Sequence, residues 1–218
     1  MIGQALSFPR SGDDWIPTLL IGGVLTVLGV LVIPVFLVQG YFLRVLRAAA
    51  NGETEAPSFT DWGELLVDGL KLFVVNIAYS LILIIPYFAL IFAVGLGGNN
   101  GPGALAAVLG LVVFVLALVV GFFIPAAFTN FAIEGDFGAA FDFGTIKDGA
   151  FTSDYATAWV LALVVGLVGG LVGAALSFVL VGIFVLFYVQ VAVYYMFGRG
   201  FAKGLGRTGG GSATTSTL

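Results

Sequence analysis

The side chains that carry most enzyme chemistry are missing from this chain. Its 218 residues include no cysteine and no histidine. That removes disulfides, thiolate nucleophiles, zinc or haem ligation through those residues, and the usual neutral-pH proton shuttle. A Ser-His-Asp triad, an HExxH zinc site and a histidine-dependent intramembrane protease each need an absent residue type. The glycines build no phosphate-binding loop, because no Gly-Lys pair followed by Ser or Thr occurs. Glu53, Glu55, Asp61, Glu64 and Asp68 could offer oxygens to a hard cation, yet their spacing fits no EF-hand loop and reads as a solvated acidic face. The expectation is a protein that is not an enzyme, with no catalytic residue, no metal and no cofactor.

The elements that would have to position any site are set by charge placement. No charged residue lies between Asp14 and Arg44, between Lys71 and Glu134, or between Asp154 and Arg199. A membrane-crossing helix needs about 20 apolar residues, so the last gap has room for two. With 60% apolar residues, 9% charged and a mean hydropathy of +1.14, the composition excludes a soluble fold. Strict alternation over segments of about ten residues is absent, which argues against a transmembrane barrel. The fold class is all-α: a polytopic helical bundle in one domain, residues 1–204, followed by a Gly/Ser/Thr-rich flexible tail over 205–218. The N-terminus lacks a cleavable-signal pattern, so the first apolar block is expected to stay as an anchor.

Five spans are predicted, at about 16–38, 72–94, 104–125, 156–174 and 177–197. Ile16 to Leu43 would be about 42 Å long as one helix, which fits a single tilted or kinked crossing better than two full ones. The alternative folds residues 16–43 as a short re-entrant hairpin. Gly95 to Gly103 is a turn by composition. In the segment 59–71, Phe59, Trp62, Leu66 and Leu70 share one face opposite Asp61, Glu64 and Asp68, the pattern of an interfacial helix, and 137–151 is expected to form a second. Val32-Ile-Pro34-Val-Phe36 with Asp61-Trp-Gly63 and Asp68-Gly69 returns as Phe123-Ile-Pro125-Ala-Ala-Phe128 with Asp142-Phe-Gly144 and Asp148-Gly149. This order suggests an internal parallel repeat of two spans, with the fifth helix left over. Five spans place Arg44, Arg47, Lys71, Lys147, Arg199, Lys203 and Arg207 on one face, cytoplasmic by the positive-inside bias, and Arg10 outside.

Within the spans, Ala162, Gly166, Gly170 and Ala174 form one small-residue stripe, and Gly169 and Gly173 a second pair, so this helix should pack closely on a neighbour or on another copy. Pro34, Pro86 and Pro125 each follow isoleucine and each removes a backbone donor; they are candidate hinges or static bends. Asn76, Thr26, Gln39, Thr129, Asn130, Ser177 and Gln190 suit interhelical hydrogen bonds, and Tyr188, Tyr194, Tyr195 and Phe197 an aromatic belt. No ionisable residue sits mid-membrane, which argues against a proton-coupled pump.

Leu6-Ser-Phe-Pro-Arg10 before Asp14-Trp15, the run Gly40 to Arg47, and Asp61 to Gly69 resemble the archaeal integral-membrane family catalogued as domain of unknown function 4013, over most of the chain to about Leu205. That resemblance implies a halophilic archaeal source, in keeping with twelve acids against eight bases, and brings no activity or catalytic residue. A remoter similarity is to the membrane domain beside some glycerophosphodiesterases, without their catalytic domain. The expected function is a membrane scaffold or binding module of the cell membrane, embedded in lipid and associated with itself or with another membrane protein. The alternative is a passive channel or transporter component. Nucleic acid does not suit the charge balance.

Overall fold

The computed structural model describes residues 1–96 and 103–207. Among these, every regular element is helical, as hydrocarbon demands of a backbone that cannot turn to water. The α-helices are α1 (Ile2–Ser7), α2 (Trp15–Val27), α3 (Ile33–Asn51), α4 (Trp62–Leu96), α5 (Ala104–Glu134), α6 (Phe143–Ala150), α7 (Ser153–Leu176) and α8 (Val181–Gly204). Short 3-10 turns occupy Phe8–Arg10, Leu28–Leu31, Phe137–Phe141 and Ser177–Val179. Five helical stretches are long and apolar enough to cross a membrane: Ile33–Asn51, Trp62–Gly95, Ala104–Glu134, Ser153–Val179 and Val181–Gly204. The chain is thus a multi-pass helical bundle. The glycine-rich turn over 95–103 falls mostly outside the described residues, as does the tail from 208.

The count of five matches the expectation, but its first member does not. Residues 16–38 form no single helix, because the chain breaks at Val32, whose φ is +67°. Pro34 explains the break. Inside a helix it would leave the Val30 carbonyl without a donor and press its ring on the preceding turn, whereas at the start of α3 its missing N–H costs nothing. α2 and α3 therefore form the hairpin that was the alternative reading. The backbone N–H of Ala56, just beyond α3, donates to Ser11 Oγ, just before α2, at 3.0 Å. The ends of the hairpin meet, and its tip carries the exposed Val30 and Leu31. Gly22 and Gly23 let α2 lie directly on Phe187 and Phe184 of α8.

Two further boundaries depart from the sequence reading. Residues 59–71 are not a separate interfacial helix, since from Trp62 onward they are the first turns of the 35-residue α4. An amphipathic pattern looks the same whether its helix stops or continues into a span, and nothing at Lys71 breaks this one. In the second copy of the repeat the helix does stop, after Ala150, because Thr152 caps a new helix by accepting from the Tyr155 N–H. The division of the last apolar block lies at Ser177–Leu180, at the edge of the expected turn, with Leu180 at φ +59°.

The packed core gathers at one end of the bundle. Arg47 reaches the Ala132 carbonyl, Arg207 pairs with Glu134, Phe8 packs on Tyr195, and Gly204 abuts Thr152 and Gly149. Tyr41, Leu43, Val45 and Leu46 of α3 are buried there with Phe131 of α5, Ile146 of α6, Tyr155 of α7 and Met196 and Phe201 of α8. Burial of the apolar window is 56% in α3 and 39% in α8, but only 11% in α4 and in the α7 span and 6% in α5. α3 is the axle of the fold, and the distal parts of α4 and α5 project from it with Ile85, Phe88, Phe92 and Leu111 uncovered.

The hairpin brings Ser11, next to Arg10, against Ala56 beyond the end of α3, the arrangement of the alternative reading in which all the cations lie on one side. The cysteine-free chain permits a direct check with single Cys variants and a membrane-impermeant thiol reagent. Ser7→Cys and Arg207→Cys are expected to react from one side of sealed vesicles, and Gly103→Cys only from the other.

Candidate functional site

The charged end is built around two arginines of α3. Arg44 donates to the Thr60 carbonyl at 2.7 Å and to Glu64 at 3.1 Å. Arg47 donates through Nε to the Ala132 carbonyl at 2.8 Å and through Nη2 to Asp68 at 3.3 Å. The expected acidic face is therefore only partly solvated. Glu64 is exposed, and such a surface pair contributes little, but Asp68 is buried at 6% exposure. The cause is a close backbone crossing: a Cβ on Gly40 would collide with the Leu65 carbonyl, and one on Gly69 with the Phe36 carbonyl. That crossing turns Leu65, Asp68, Gly69 and Leu72 toward α3 and leaves Trp62, Leu66 and Leu70 on the uncovered side. Of the four residues expected at the interface, Phe59 differs, being buried and stacked on Tyr41 with centroids 4.3 Å apart.

The three prolines have three different roles. Pro34 starts α3 and is no hinge within a span. Pro86 lies inside α4, in the sparsely packed part. Pro125, inside α5, has no N–H to offer the Gly121 carbonyl one turn back, and α7 replaces it: Trp159 Nε1 donates to that carbonyl at 3.1 Å. Beside it, the Tyr155 hydroxyl donates to the Phe122 carbonyl at 2.7 Å. The interruption in α5 is thus closed by side chains from a neighbouring helix. Across from Trp159, Pro125 lines a cavity of about 130 Å³ with Gln190 and Tyr194.

The small residues of α7 divide between two faces. Ala162, Gly166, Gly169 and Gly173 meet α8, with Gly169 under Val189, Gly173 under Leu186, and Gly166 placed so that a Cβ there would touch Val193. Gly170 faces open space and Ala174 is exposed, so only the first half of the Ala162–Ala174 stripe packs within the chain. Most hydroxyls near the spans turn back on their own helix: Thr26 to Gly22, Thr129 to Pro125, and Ser177 to Gly173. Asn130 donates to Ala139, and Asn76 is exposed on α4. The tyrosines of α8 are core more than belt, because Tyr195 packs on Phe8, Tyr194 stacks on Phe42, and the Tyr188 hydroxyl donates to the Leu6 carbonyl. The six-residue α1 that covers them is too short for a periodic signal in the sequence.

α6 closes the charged end. Asp142 caps it, accepting from the Thr145 hydroxyl at 2.6 Å and from the N–H groups of Gly144 and Thr145. The Thr145 hydroxyl and backbone bonds hold its carboxyl below the usual carboxylate range. Between α6, α4 and α5 lies a cavity of about 390 Å³, walled by Ile82, Val119 and Phe123 and flanked by Phe143, Lys147 and Phe151. Among the described residues no cluster of three or more acidic side chains could hold a metal ion.

The matching family model is described as a protein of unknown function, DUF4013, and it covers residues 24–178, from α2 through the turn after α7. The chain belongs to this family. No curated protein matches it, and no solved structure does. The match spans the α3 arginines, their acidic partners, the Pro125 bridge and the whole of α6, and stops before α8.

The Pro125 bridge makes a specific energetic prediction. Trp159→Phe should cost about 1 kcal/mol in unfolding titrations from mild detergent, the scale of one hydrogen bond. In a Pro125→Ala background, where residue 125 regains its donor, the same change should cost close to nothing.

Proposed function

We propose that this protein is a non-enzymatic membrane scaffold or binding module whose outer helices associate with another membrane protein or with a second copy of itself. The observation that carries the reading is the contrast between a densely packed, ion-paired end and the outer helices, whose apolar windows are only 11% buried in α4, 6% in α5 and 11% in the α7 span. Apart from the buried, unpartnered oxygens of Gln39 and Asn130, side-chain polar groups around the spans are largely taken up by helix caps, back-bonds and bridges to backbone carbonyls, which supports structure over catalysis. The uncovered Gly170 face of α7 offers a further place for close helix approach. With Arg10, Arg44, Arg47, Arg199, Lys203 and Arg207 at one end, the positive-inside bias supports a cell-membrane protein with both termini in the cytoplasm. The acidic balance of its loops suits a high-salt setting.

Native mass spectrometry of the protein from its own membranes, with minimal detergent, tests the proposal. A stoichiometric second protein or a homo-oligomer is expected, and Gly170→Leu should shift the mass if α7 forms the seam. Recovery of an unassociated monomer would contradict the reading. Solute flux in proteoliposomes, reduced by Asn76→Leu, would turn it toward a passive channel or transporter component.

A further inference from the structure

The cavity between α4, α5 and α6 has a chemistry that scaffolding does not require. Its walls are aliphatic and aromatic, with Ile82 from α4 and Val119 and Phe123 from α5. The polar atom of the lining Tyr79 is already committed, since its hydroxyl donates to the Ala140 carbonyl at 2.7 Å. The wall therefore has little to offer a polar solute, and a volume of about 390 Å³ is within the usual range for small-ligand sites, about 300–1,000 Å³.

The α6 edge is different. Lys147 is the charged residue among the lining, is exposed, and forms no salt bridge among the described residues. Phe143 and Phe151 flank it, 62% and 71% exposed. At roughly 100° per residue, Phe143, Ile146, Lys147 and Phe151 share one sector of α6 and its exit, whereas Asp142 and Asp148 fall to either side. Asp142 is also held by Thr145 and Gly144. An apolar slot thus ends in one ammonium and two large exposed rings, at the charged end of the bundle.

We propose that this groove binds an anionic phospholipid from the surrounding leaflet, one hydrocarbon chain lying along Ile82, Val119 and Phe123 and the phosphate resting on Lys147. The binding is independent of whether α4 or α7 also meets a protein partner. A zwitterionic lipid offers the same chain but no net charge for Lys147, so the site selects by headgroup. A single Lys near a membrane surface is worth about 1 kcal/mol toward an anionic lipid, or about fivefold in affinity.

The test uses the full-length protein in nanodiscs of equal phosphatidylglycerol and phosphatidylcholine, with native mass spectrometry reading retained lipid by headgroup. The wild-type chain is expected to hold one phosphatidylglycerol in about fivefold preference over phosphatidylcholine. Lys147→Gln, an exposed change that leaves the packing intact, should abolish the preference while a lipid is still retained. Val119→Trp, which fills the groove, should lower retention of both lipids, and Lys203→Gln should change neither quantity. Equal retention of the two lipids by the wild type, a preference that survives Lys147→Gln, or loss of the preference in Lys203→Gln would overturn the site.

Discussion

Arg47 is the residue through which the packed end of the bundle is joined. A guanidinium at the edge of a hydrocarbon slab must find acceptors, and α3 supplies none of its own. The Ala132 carbonyl near the end of α5 and the Asp68 carboxylate near the start of α4 satisfy it from two directions. Because Asp68 is itself buried, removing either partner exposes the other to an unfavourable setting. The Gly40–Gly69 crossing brings the carboxylate close enough, by letting the α3 and α4 backbones touch. Once three helices are tied there, α8, α2 and the N-terminal segment fill the remaining sides of α3 around Tyr41, Phe42 and Leu46.

The same requirement, that a polar group away from water be met from a neighbour, recurs through the molecule. Trp159 answers the Gly121 carbonyl that Pro125 leaves without a donor, Tyr155 answers Phe122, Tyr79 answers Ala140, and Asn130 answers Ala139. In each case a side chain on one element closes a backbone group on another, so the bonds that satisfy the chain also fix its tertiary arrangement. The distal arm of α4 and α5 has few such links. Its apolar surface is free to meet lipid or protein, and α6 leaves a groove at its base.

The spans were legible because charge is so strongly segregated; of the small residues of α7, the Gly169–Gly173 pair and the first half of the Ala162–Ala174 stripe face α8, while Gly170 and Ala174 do not. The break at Val32 was not legible, since a run from Ile16 to Leu43 without charge is compatible in length with one kinked helix. Pro34 was the available signal, and its position as a helix start becomes plain only when Ser11 and Ala56 are seen to meet. The burial of Asp68 on α4 was not legible, because Asp61, Glu64 and Asp68 read as one solvated acidic stripe opposite Trp62, Leu66 and Leu70. Backbone contact at Gly69, which hydrophobicity does not register, sets the buried side instead. The partners of Arg47 and the α6 groove join residues from three separate elements, and no local pattern announces such a meeting.

The most direct test of this account is a double-mutant cycle on Arg47 and Asp68, read by unfolding in mild detergent. Arg47→Met should cost about 3 kcal/mol by leaving Asp68 buried and unpaired, and the Arg47→Met, Asp68→Leu pair should recover most of that loss. If the two single costs simply add in the double variant, the Arg47–Asp68 contact is not what joins α3 to α4, and the central claim fails.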